Sequence, residues 1–63
     1  MEYEVGDTIT YQTFGGGYRT VVVIEKHENV KNGEPGFDGA EPGGDDAQWW
    51  GYDHQIVRVE AAA

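Results

Sequence analysis

Hydrophobic and polar positions alternate with a period of two from Asp7 to Thr13. Between Asp7 and Thr13, Ile9, Tyr11 and Thr13 share one face, and Thr8, Thr10 and Gln12 share the other. That is the pattern of a half-buried strand. Phe14-Gly15-Gly16-Gly17-Tyr18 follows as a hairpin tip, where glycine lets the chain reverse and the flanking rings are placed to pair across the strands. Arg19 to Glu28 predicts the longest strand. Its β-branched run, Thr20 to Ile24, suits a pleated strand and crowds a helix. Apolar residues fall on both faces there, so the strand is either covered on both sides or sharply bent.

Asn29 to Gly36 is predicted as loop, because Asn32-Gly33 and Pro35-Gly36 are turn dipeptides. Phe37 to Ala40 predicts a very short strand, and Glu41 to Asp46 a flexible acidic loop. A further strand spans Ala47 to Gly51, with Trp49 and Trp50 on opposite faces. Gly51 to His54 predicts a tight turn, compatible with a single 3₁₀ turn, and Gln55 to Glu60 the last strand. Ahead of all this, Met1 to Val5 is a lead-in whose Tyr3 and Val5 are placed to cap the core, and Gly6-Asp7 is a turn. No segment keeps a 3.6-residue period. The fold class is therefore all-β: a single small five-stranded barrel over residues 1–60. Ala61-Ala62-Ala63 reads as a vector-derived tail outside the fold.

Composition sharpens this picture. A chain of 63 residues is one domain and buries only about 60% of its unfolded surface. Ordering costs on the order of 1.5 kcal/mol per residue, so the eight aromatic rings must supply much of the offset. Without cysteine there is no disulfide framework, which leans the chain to the cytoplasm. No apolar run approaches the roughly 20 residues of a membrane span.

Twelve acidic residues against four basic ones give a formal net charge of −8. Arg19, Lys26, Lys31 and Arg58 are too few to neutralise a phosphate array, so nucleic acid and anionic membranes are not expected partners. A protein or basic peptide is.

The barrel rhythm resembles the Src-homology-3-like group, which includes the Tudor-type domains. Val5 to Ile9, the glycine hairpin, Phe37-Asp38-Gly39 and Tyr52 to Ile56 carry the resemblance. The segments Lys31 to Gly39 and Trp50 to Val59 also resemble a group of short acidic proteins from actinobacteria and actinophages. The barrel resemblance implies a ligand groove of exposed aromatics between the hairpin and the last turn. It would hold a proline-rich peptide or, in the Tudor manner, a methylated ammonium. Candidate binding residues are Tyr11, Tyr18, Trp49, Trp50, Tyr52 and Asp53, with Asp45 and Asp46 adding preference for a basic ligand. The same rings serve equally well as the core of a very small protein.

Chemistry-bearing motifs are otherwise sparse. Asp38, Glu41, Asp45 and Asp46 do not match the EF-hand spacing and read as a solvated loop. His27 and His54 each stand alone in sequence, without a partner at ligand spacing. Serine and cysteine are both absent, which excludes their nucleophile arrangements. Gly15-Gly16-Gly17 lies between strands with no following Lys-Ser/Thr, unlike a phosphate loop. No metal or cofactor is expected. The expected function is a non-enzymatic binding or accessory module, monomeric or weakly dimeric. The alternative is an acidic DNA mimic that blocks a basic nucleic-acid-binding protein.

Overall fold

The computed structural model describes residues 2–43 and 47–62. Five strands, β1 (Thr8–Gln12), β2 (Tyr18–Lys31), β3 (Glu34–Ala40), β4 (Gln48–Tyr52) and β5 (Ile56–Glu60), form one antiparallel sheet in the order β4-β3-β2-β1-β5. A 3₁₀ turn, Asp53–Gln55, joins β4 to β5. The all-β class holds. The expected closure into a barrel does not, because β4 and β5 are the two edges of the sheet and do not pair with each other. The cause is local. The 3₁₀ turn ends β4, and β5 leaves it to pair with β1, bringing Tyr11 opposite Ile56 and Ile9 opposite Val59.

Alternation along β1 places its apolar face as the sequence predicts. Ile9 and Tyr11 join Tyr3, Val21, Val23, Phe37 and Ile56 in the buried core, with Trp49 and Val59 packed against it. Phe37 stands at the centre, edge-on to Tyr3 and Tyr11 with ring centroids 6.1 and 5.0 Å away. Burial of such apolar surface contributes about 25 cal/mol per Å². Val5 is not a core cap: it is exposed.

β2 resolves its two-faced apolar run by bending. The pairing with β3 shifts register between Val23 and Glu25, so Ile24 sits at an irregularity of the bulge type, which bends a strand. Val21 and Val23 stay buried, whereas Ile24 is exposed.

The predicted loop at Asn29 to Gly36 is mostly strand. β2 runs on to Lys31 and β3 starts at Glu34, leaving only Asn32-Gly33 as the turn. Both turn residues have positive φ (58° and 77°), the geometry of a two-residue hairpin turn. The Gly33 N–H donates to Asn29 Oδ1 at 2.9 Å. Pro35 cannot donate a ladder hydrogen bond, and it falls where β2–β3 pairing is interrupted between His27 and Lys31. The short strand expected at Phe37 to Ala40 thus becomes the end of a longer one. Gly51 and Tyr52 belong to β4, and the tight turn begins at Asp53.

At the other end of the chain, the Ala62 N–H donates to Asp7 Oδ1 at 2.9 Å and the Glu4 N–H donates to Asp7 Oδ2 at 2.8 Å. Asp7 therefore ties both termini together, and Ala62 takes part in the fold. These bonds hold the Asp7 carboxyl below the usual carboxylate range, against the opposing effect of its burial. Among the described residues no helix is long and apolar enough to cross a membrane.

Candidate functional site

Where the sheet fails to close, a groove of about 340 Å³ opens between the β1–β2 hairpin and β4. Tyr11, Thr13, Phe14, Gly15 and Arg19 line one wall, and Gln48, Trp49 and Trp50 the other. The outer edge of β4 has no strand beside it. Two contacts hold the walls at this spacing. Gln55 Nε2 donates to the Gln12 carbonyl at 2.7 Å, pinning the 3₁₀ turn to the end of β1. On the inner side, Phe37 opposes Gly51, where an added Cβ would lie 2.8 Å from Phe37 Cζ. Only glycine lets β4 approach the core this closely.

Alternation along β4 separates the tryptophans as the sequence predicts. Trp49 turns to the core side and is half-buried. Arg19 lies over its ring, 3.6 Å from the centroid, and its Nε also meets Glu41 at 3.4 Å. The Trp49 indole nitrogen is buried and donates to no partner among the described residues. Such an unmet donor carries a cost of about 1–3 kcal/mol.

Trp50 and Tyr52 share the outer face of β4, their centroids 5.4 Å apart in a perpendicular arrangement. Phe14, carried over from the hairpin tip, packs on both, 5.1 Å from Trp50 and 6.0 Å from Tyr52. His54 stacks on Tyr52 at 5.2 Å. Asn32 Nδ2 donates to the Tyr52 hydroxyl at 3.1 Å, and Lys31 Nζ sits 5.4 Å from the Trp50 centroid. The result is a continuous strip of rings along the groove's rim. Phe14 remains 64% exposed, which leaves a large apolar face in water at the mouth of an open groove.

The six candidates read from sequence divide four ways. Trp49, Trp50 and Tyr52 come together at this seam. Tyr11 is a core residue, 2% exposed, that reaches the groove floor; Arg19 Nη1 donates to its hydroxyl at 3.5 Å. Tyr18 is brought to neither place. It opposes Gln12 while its neighbour Arg19 opposes Tyr11, so alternation turns Tyr18 to the face away from the groove. Nor does it pair with Phe14, whose ring contacts are Trp50 and Tyr52.

Asp53 has a structural bond instead of a free carboxylate. The Tyr3 hydroxyl donates to its Oδ1 at 2.5 Å and lies 3.1 Å from the Gly36 carbonyl oxygen. Burial, and then the Asp53 hydrogen bond and charge, push the Tyr3 phenol well above its ordinary range. Asp45 and Asp46 lie outside the described residues.

Phe14, Arg19, Lys31 and His54 belong to the site without having been candidates from sequence. The one sequence signal for Phe14 is its place beside a triple glycine, where a hairpin tip offers a large ring no burial of its own. No known family model, curated protein or solved structure matches this chain.

Proposed function

We propose that the protein is a non-enzymatic binding module of the Src-homology-3-like kind. In this reading the seam groove takes an extended, basic peptide segment of a partner protein. The observation that carries it is the open groove with its rim of contiguous rings, Phe14, Trp50 and Tyr52, beside β4, one of the two unpaired edges of the sheet. A long β2 and a single 3₁₀ turn before the last strand support the kinship.

The chemistry is complementary to such a ligand. Apolar side chains of the segment bury against the rings, which are the residue types that dominate binding hot spots. The preference for basic sequence comes from the field of the whole molecule, with net charge −8, rather than from the groove itself. Locally, Arg19 is occupied by Glu41 and the Trp49 ring.

Selection from a displayed library of random twelve-residue peptides tests this. Enriched sequences carry net positive charge and at least one large apolar or proline position. Trp50→Ala and Phe14→Ala each weaken them by roughly 30-fold, the equivalent of about 2 kcal/mol. Peptides held by charge alone would be released by salt and indifferent to both substitutions, and that result refutes the groove.

A further inference from the structure

We propose that Glu25, His27 and Asp38 form a binding site for a divalent transition-metal cation of the zinc type on the outer face of the β2–β3 pair. The site arises from the bend in β2. Val23 is buried in the core, and Lys26, opposite the core residue Phe37 in the register, lies on the same side of the sheet; it is exposed, and its Nζ donates to the Tyr3 carbonyl at 2.6 Å and lies over the Tyr3 ring. An unbroken strand would not place positions 23 and 26 on one face. The irregularity at Ile24 does, and it sends Glu25 and His27 together to the other side. Asp38 of β3 stands opposite Glu25 in the register.

Three side chains, each from a different residue, thereby converge. His27 Nε2 lies 2.7 Å from Asp38 Oδ2 and 4.0 Å from Glu25 Oε1. One donor atom from each falls within 4.8 Å of the others. An ion with bonds of about 2.0–2.2 Å to imidazole nitrogen and carboxylate oxygen fits between donors about 3–3.5 Å apart. His27 and Asp38 need to part by only a few tenths of an ångström. Glu25 needs to close in, and its side chain is 66% exposed and free to do so.

The donor set is one nitrogen and two carboxylates, with further positions open to water. Imidazole favours zinc-type ions over calcium or magnesium, which prefer all-oxygen cages.

Charge points the same way. Among the described residues no lysine or arginine pairs with Glu25 or Asp38: Arg19 meets Glu41, Arg58 meets Glu60, Lys26 bonds the Tyr3 carbonyl and Lys31 lies near the Trp50 ring. Only His27 answers these two carboxylates.

Calorimetric titration of the chelator-treated full chain with zinc chloride tests the site, followed by nitrogen–proton spectra of the backbone and histidine rings. The expected result is one ion per chain, with shifts confined to His27, its strand neighbours and the facing stretch of β3. His27→Ala and Glu25→Gln weaken binding about tenfold or more; Glu25 is exposed and His27 half-buried, and their spectra report whether the fold is kept. Cobalt(II) gives a second readout, because Trp50 stands opposite Asp38 in the β3–β4 register. It quenches the emission of the wild-type protein and not that of His27→Ala. Weak binding of several ions, or binding indifferent to His27→Ala and matched at His54, would mean an adventitious ion only and overturn the proposal.

Discussion

Phe37→Ala separates rings that build the fold from rings that face a ligand. Phe37 is fully buried and lies edge-on between Tyr3 and Tyr11. A phenylalanine buries roughly 150–250 Å². At about 25 cal/mol per Å² this is an upper bound of about 4–6 kcal/mol. Alanine keeps its own Cβ but leaves a cavity at the centre of the core, so the expected loss is about 3–5 kcal/mol. The whole domain holds about 3–9 kcal/mol, from 0.05–0.15 kcal/mol per residue. The variant should therefore lose about a third or more of its stability, and at the low end of that range it unfolds at 25 °C. Phe37→Leu keeps most of the volume and loses the two edge-on ring contacts, for about 1–2 kcal/mol. Phe14→Ala, at a ring that is 64% exposed, should cost about 1 kcal/mol. Urea unfolding followed by tryptophan emission gives all three. In a thermal melt, each kcal/mol appears as about 4–8 °C. Losses from Phe37→Ala and Phe14→Ala within about 1 kcal/mol of each other would refute the division between core and rim on which the groove rests.

Two pH dependences follow from the termini and the core. Asp7 has a lowered pKa in the folded state. Its contribution is full above the ordinary carboxylate value, about 3.9, and is lost as pH falls through the lower folded value. Acid unfolding should thus be less steep for Asp7→Asn, which is already weakened at neutral pH. Tyr3 is raised in the folded state, so its contribution is full below the ordinary phenol value, about 10, and declines above it. Absorbance at alkaline pH should show Tyr3 ionising only as the protein unfolds, and Tyr3→Phe should reduce that late step by one phenol.

The seam explains why the candidate site was only partly legible. Trp49 and Trp50 are adjacent, so strand alternation alone puts them on opposite faces, and that part is local. Phe14 reaches Trp50 across 36 positions of chain, and Glu25 and His27 meet Asp38 only through the β2–β3 register. No periodicity in the sequence records such pairings. Asp53, placed in a turn beside exposed rings, carried the marks of a ligand-binding acid. Its actual partner, Tyr3, stands 50 residues away.

What the sequence determined by itself is what short-range sterics control. β-Branched runs and period-two alternation made strands, Asn32-Gly33 made a turn, and the buried face of β1 followed from its pattern. Tertiary structure decided the rest. It extended β2 and β3 through Pro35 by placing that residue where pairing lapses, and it bent β2 at Ile24. It also left the sheet open, with β5 following a three-residue 3₁₀ turn and pairing with β1 and not with β4. A side chain's face depends on its own strand, but its neighbours depend on register and closure, and these are set by contacts between residues far apart in the chain.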